Sequence, residues 1–227
     1  MKVYFTLLAS LLTLSMSYAQ KKPKTEDKPA PLFDASTVGS IQFRSIGPAL
    51  TSGRVADIVV HPDNNDKWYV AAASGGIWYT ENHGTTFNPI FDGYGSFSIA
   101  CIELAQSNPN TVWVGTGENN NQRSVAYGDG VYKSVDGGMS FTNMGLKNSE
   151  HIGNIIIHPT DENTLWVAAY GPLWSSGGER GVYKSTDGGK TWKRTLFVSD
   201  ETGISEIASD PKDPNILYAE AHQRRRH

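Results

Sequence analysis

Ser185-Thr186-Asp187-Gly188-Gly189-Lys190-Thr191-Trp192 decides the fold. An Asp two residues after a Ser, followed by two glycines and then Thr-Trp, is the chemistry of a tight turn. The Asp187 carboxylate accepts hydrogen bonds from turn amides, Gly189 takes a positive φ, and Trp192 leaves the turn as an apolar anchor. The same spacing returns at Ser134-Val135-Asp136-Gly137-Gly138-Met139-Ser140-Phe141. It returns in altered form at Thr80-Glu81-Asn82-His83-Gly84-Thr85-Thr86-Phe87, so copies recur about every fifty residues. A second marker keeps phase with the first: Pro62, Pro109, Pro159 and Pro211 each lie in an Asp/Asn-rich turn. A repeat of this length holding four short strands predicts an all-β protein, a β-propeller with four-stranded blades.

The third unit shows the plan. Strands are expected at Gly153–Ile157, Thr164–Ala169, Gly181–Ser185 and Thr191–Phe197, with a turn over His158–Asn163. The box therefore sits between the third and fourth strands of its blade. Blades are expected at 53–92, 98–145 and 151–198, and a fourth at 203–227 breaks off, so the propeller is truncated after about three and a half blades. Asp136, Gly138 and Phe141, with Asp187, Gly189 and Trp192, are read as structural. The first copy carries Thr80 and Asn82 in place of Ser and Asp, so its turn is expected to be less tightly bound.

These residues resemble the Asp-box (BNR-repeat) motif S-x-D-x-G-x-T-W of sialidases, bacterial xyloglucanases and sortilin-type propellers. The third copy fits the motif in full, and the second has Ser140 and Phe141 where the motif has Thr and Trp. Over residues 40–227, stretches such as FRSIGPALTSGRVADIVVHP and GPLWSSGGERGVYKSTDGGKTW resemble large bacterial secreted proteins described as sortilin N-terminal or glycosyl-hydrolase-like. The resemblance implies a longer parent chain. It fixes the fold far better than the function, because one scaffold carries many activities.

Composition agrees with a turn-rich β protein: 23 Gly, 11 Pro and 38% hydrophobic residues in 227. A net charge of -3 offers no basic field for nucleic acid. Residues 1–19 read as a signal peptide, with Lys2, an apolar run over Val3–Met16, and the small-x-small site Ser17-Tyr18-Ala19. That run is too short to span a membrane. The mature protein is expected to be secreted, periplasmic or held at the cell surface. Residues 20–39 open with the charged, proline-rich QKKPKTEDKPAP and read as a disordered linker. Cys101 is the sole cysteine and lies in the apolar run SIACIEL, where a buried thiol is expected.

Strand order places the loops between second and third strands, and the links between blades, on the end opposite the boxes. Those loops are 118–129 (ENNNQRSVAYGD) and 170–180 (YGPLWSSGGER). The candidate ligand contacts are Glu118, Asn119, Asn120, Gln122, Arg123, Tyr127 and Asp129 from the first, and Trp174, Glu179 and Arg180 from the second. Aromatic faces beside amides suit a sugar or a peptide, so an extracellular peptide, protein or glycan is the expected partner. A competing reading has the Asn-rich loops satisfying their own backbone while Glu and Arg pair between neighbouring blades.

Other chemistry is weaker. Gly188-Gly189-Lys190-Thr191 mimics the end of a phosphate-binding loop, but Lys184 stands where the motif needs Gly. His61 and His158 precede turn prolines without a partner at metal-ligand spacing. Glu118 and Asp129 match no calcium-loop spacing, so no metal or cofactor is expected. Phe43-Arg44 resembles the start of a sialidase substrate arginine motif, interrupted by Ser45 and Gly47. The xyloglucanase-like alternative, a glycoside hydrolase, implies a catalytic Asp in the first blade. Ala73 stands at that position, in Tyr69-Val70-Ala71-Ala72-Ala73-Ser74-Gly75-Gly76. Glycoside hydrolysis needs two carboxylates, and of the first-blade acids only Asp57 sits on an inner strand, where alternation puts it with Val55 and Val59. Binding without cleavage is the expectation. The basic run HQRRRH, residues 222–227, suggests an anionic ligand on one reading and, on the preferred one, the end of a strand cut from its context.

Overall fold

The protein is described by a computed structural model over residues 53–120 and 125–226. The expected signal peptide and linker, the Phe43-Arg44 motif, Gln122 and Arg123 lie outside the described residues. Strands are β1 (Val55–Val60), β2 (Trp68–Ala72), β3 (Gly76–Thr80), β4 (Asn88–Pro89), β5 (Ile99–Leu104), β6 (Val112–Thr116) and β7 (Val131–Ser134). They continue with β8 (Thr142–Gly145), β9 (Ile152–His158), β10 (Asp161–Ala169), β11 (Gly181–Ser185), β12 (Lys193–Leu196), β13 (Gly203–Ser209) and β14 (Leu217–His222). A 3-10 turn, Lys147–Ser149, precedes β9.

Three antiparallel four-stranded sheets form in chain order, β1 to β4, β5 to β8 and β9 to β12, followed by the pair β13 and β14. The first strands touch in succession, β1 against β5, β5 against β9 and β9 against β13. These are blades of a β-propeller, as the repeat requires.

The core lies between blades. Tyr69, Ala71 and Ile77 of the first sheet pack on Ile102, Val114 and Phe141 of the second. Cys101, Trp113 and Val131 of the second pack on Ile152, Leu165 and Val167 of the third, and Trp166 and Val182 pack on Ile204 and Ile207. Every residue of β6 is buried because the central strands of a blade are covered on both faces, so the two-residue alternation of side chains feeds both neighbours. Here Val112 and Val114 face back and Trp113 faces forward.

The box turns repeat one network. Asp187 accepts from the Thr191 amide (3.0 Å) and hydroxyl (2.6 Å) and from the Ser185 hydroxyl (2.7 Å), which in turn accepts from the Gly189 amide (2.8 Å). Asp136, with Ser134 and Ser140, makes the same set. These bonds hold both carboxyls down at about 2. The looser first turn expected from Thr80 and Asn82 is not what forms. Asn82 Oδ1 accepts from the Thr86 amide (2.9 Å) and Thr80 Oγ1 accepts from the Gly84 amide (3.0 Å). An amide oxygen has the same acceptor geometry as a carboxylate oxygen, and the Asn82 amide nitrogen donates to Thr86 (2.9 Å).

Trp192 packs edge-on to Trp113 with centroids 6.1 Å apart, and its ring nitrogen donates to the Met144 carbonyl (2.8 Å), tying the third blade to the second. Alternation holds for Asp57 with Val59, both half-buried toward the second blade, and fails only for Val55. The β1–β2 register shifts between Val55 and Asp57, so the strand bulges there. Asp57 accepts from the Ile58 and Ile102 amides (2.8 and 3.0 Å), covering a donor on the inner edge of β5.

Candidate functional site

The loops after the second strands and the links between blades meet at one end, as strand order demands. Gly117 donates to Ser98 O (2.8 Å), Gly128 to Glu150 O (2.7 Å), Tyr170 to His151 O (2.9 Å) and Gly177 to Asp200 O (2.8 Å). Each bond joins such a loop to an interblade link, giving a stiff rim on which side chains can be displayed.

Most polar candidates build this rim. Glu118 is 2% exposed and pairs with Arg54 from the start of the first blade and with Asn120, while Arg54 also donates to Asn120 Oδ1 (3.0 Å). Asn119 donates to Gly153 O (2.6 Å), bridging the second blade to the third. Asp129 accepts from the Tyr132 hydroxyl (2.5 Å), and its amide donates to Thr116 Oγ1 (2.9 Å). Glu179 accepts from the Asn148 amide (2.8 Å).

Arg180 departs furthest from expectation. It is 1% exposed and donates to the carbonyls of Gly177 (3.0 Å), Tyr170 (2.8 Å), Ser175 (3.0 Å) and Pro172. A planar fork with five donors is suited to gathering carbonyls that would otherwise be buried unpaired. Arg180 is thus the internal frame of loop 170–180 and does not face a ligand. These are bonds of the kind the competing reading expects, made within loops and between blades.

The aromatics remain open. Tyr127 and Trp174 are each 55% exposed, and Phe97, in the link between first and second blades, is 62% exposed. Sequence reading missed Phe97, Arg54, His151, Tyr170 and Arg224. Arg54 lay in a quoted stretch without a chemical motif, and Arg224 lay in the run read as a strand end. His151 carried no signal, since a lone His before an apolar strand has no partner in the chain. His151 is fully buried, and desolvation first, then the Arg224 charge, depresses its pKa to about 4.

A second acidic feature lies elsewhere. Burial chiefly, with the nearby Asp57 carboxylate, raises Glu103 on β5 to about 7. The hollow beside Glu103 is lined by Pro159, Pro211 and Pro214, which belong to the turns between first and second strands, so it opens on the opposite end. His61 and His158 each accept from an amide two residues on (3.2 and 3.4 Å), as turn builders. Among the described residues no group of three or more His, Cys, Asp or Glu is placed to hold a metal, and no helix is long and apolar enough to cross a membrane.

No family model matches the chain, and no curated protein matches it. Solved structures do. An ancestral GH74 enzyme superposes with a TM-score of 0.61 at 23% identity, over 79% of this chain and 23% of its own. The GH74 xyloglucanase of Xanthomonas campestris gives 0.56 at 16% identity, over 76% and 27%. The GH74 enzyme of Niastella koreensis gives 0.53 at 22%, over 71% and 24%. The chain spans about a quarter of the length of these proteins. At such identities the likeness establishes the propeller fold, and function has to be argued from the site.

Proposed function

We propose that this chain is part of a secreted Asp-box propeller, of the sortilin N-terminal or glycosyl-hydrolase-like kind, whose loop-bearing end binds a glycan without cleaving it. The observation that carries the reading is the division of labour at the rim. The side chains that could do acid–base chemistry are held in internal bonds, while flat aromatic faces are left to solvent. Glu118 is buried against Arg54 and Asn120, and Asp129 is held by Tyr132 and Thr116. A glycosidase needs one free proton donor and one free carboxylate flanking the bond. Tyr127 and Trp174, each 55% exposed on bonded loops, offer the apolar faces against which a sugar ring packs.

Polysaccharide pull-down with the full-length protein, followed by product analysis, tests this. Retention on a glycan with no new reducing ends is expected. Release of reducing ends that is lost in Glu118→Gln or Asp129→Asn, in a protein that still folds, would overturn it.

A further inference from the structure

The box turns of the second and third blades enclose a hollow of about 370 Å³ on the end opposite the loops. Its wall includes Lys133 of β7, Val135 of the second box, Thr142 and Met144 of β8, and Asp187 and Lys190 of the third box. All of these belong to four-stranded blades, so the seam that forms the hollow is complete.

Two cations enter it without a counter-charge. Lys133 is half-buried with Nζ 5.4 Å over the Trp113 ring, and its hydrogen bond to Gly188 O is long at 3.5 Å. Neither Lys133 nor Lys190 belongs to an ion pair among the described residues. The one carboxylate in the wall, Asp187, is already engaged by the Ser185 hydroxyl and by the amide and hydroxyl of Thr191. An ammonium offers three donors, so most of the donor capacity of both lysines is left for a guest.

The apolar part of the surface is peculiar to the second box. Val135 and Met139 are each 67% exposed, and no large apolar side chain among the described residues is more so. At the matching places the third box has Thr186 and Lys190, and the first has Glu81 and Thr85. The turn itself does not need these side chains, since its bonds run through Ser134, Asp136 and Ser140. An exposed apolar face rimmed by polar groups is the composition of an interaction surface.

We infer that this hollow docks an acidic peptide segment of a partner protein. One Asp or Glu side chain of the segment meets the Lys133 and Lys190 ammoniums, and an apolar neighbour lies on Val135 and Met144. The room is near the lower end of the range for ligand pockets, which admits side chains and not a folded domain. A flat bilayer would rest on Val135 and Met139 and leave half-buried Lys133 out of reach. The inference stands apart from the glycan reading, which concerns the other end.

The test is selection of a random peptide library, displayed on phage, against the full-length protein and against its Lys190→Glu variant. Peptides that pair Asp or Glu with a large apolar residue are expected, and the variant should fail to capture them. In calorimetry, a selected peptide should bind about tenfold more weakly once its acidic residue is replaced by the amide. Lys190→Glu should weaken it at least as much, and Val135→Thr, which copies the third box, about threefold. Both side chains are exposed, so neither change should move the thermal midpoint. Selection of no acidic peptide, or of peptides that the Lys190→Glu variant captures equally well, would overturn the docking site. Binding to phosphatidylglycerol vesicles that falls in Val135→Thr, with no peptide selected, would assign the patch to a membrane and overturn it too. Should Lys190→Glu fail to fold, equal affinity for the acidic peptide and its amide in the unaltered protein still refutes the inference.

Discussion

Gly189 sits against the indole of Trp113 in the preceding blade, so close that a β-carbon at that position would overlap the ring. Gly138 docks on the first blade more loosely: a β-carbon there would crowd Ile90 Cδ1 at 2.9 Å and meet Tyr69 at 3.4 Å, and the Tyr69 hydroxyl donates to Gly137 O (2.9 Å). The box glycine thus answers two demands. Its φ of 86° is one that side chains resist, and its bare Cα lets a turn dock on a neighbour's aromatic ring. Gly189→Ala is expected to destabilise by about 2–4 kcal/mol, read by denaturant unfolding of the full-length protein. Trp113→Leu should recover part of the loss in the double variant. An unshifted midpoint for Gly189→Ala would show that the seam is slack.

The two acidic boxes predict a pH limit. The Asp136 and Asp187 carboxyls stand at about 2 when folded, against an ordinary 3.8, first through the Ser134 hydroxyl and the Thr191 hydroxyl respectively. A lowered folded pKa contributes stability that is present above the unfolded value and lost as pH falls through the folded one. Thermal midpoints should therefore fall between about pH 4 and 2. Asp136→Asn with Asp187→Asn should flatten that part of the profile while holding the neutral-pH fold, since Asn82 already closes the first box. Unfolding of the Asn variants at neutral pH would contradict this.

Arg180 is expected to govern its loop as a unit. Arg180→Ala strands four carbonyls and should cost about 3 kcal/mol or more. Hydrogen exchange should show amides in 170–180 losing protection first. Arg180→Lys should rescue little, because one ammonium cannot reach carbonyls spread from Tyr170 to Gly177. Full protection in the Lys variant would refute the frame role.

Trp174→Ala and Tyr127→Ala should separate binding from folding. Both rings are 55% exposed, so their removal should leave the thermal midpoint almost unmoved. Glycan affinity should fall about fivefold for each. A stability loss with intact affinity would mean that the rings serve packing alone.

Cys101 is 8% exposed, and burial pushes its thiol well up. It should resist alkylation at neutral pH in the native protein and react stoichiometrically on denaturation. Rapid native labelling would mean that the seam between the second and third blades opens readily.

The turns were legible because their chemistry is local. Asp187 and Gly189 lie two residues apart and their roles follow from hydrogen bonding and φ alone. The partners across the seams were not. Nothing near Glu118 in the chain points to Arg54, which lies 64 residues away, and nothing near Asn119 points to Arg224. Polar loop residues read as free in the chain because the rim that bonds them is assembled from separate blades. Val55 leaves the row of Asp57 and Val59 for a local reason, as a one-residue bulge undoes alternation without marking the sequence.

The docking of the second and third box glycines on the preceding blade carries a consequence for descent. A change of size at Gly189 has to be met at Trp113, and one at Gly138 at Ile90, so substitutions should be inherited as pairs straddling a seam, not as sets confined to one blade. A blade transplanted from a sister protein would arrive holding half of two such pairs. Lineages should therefore exchange stretches running from the second strand of one blade to the box of the next.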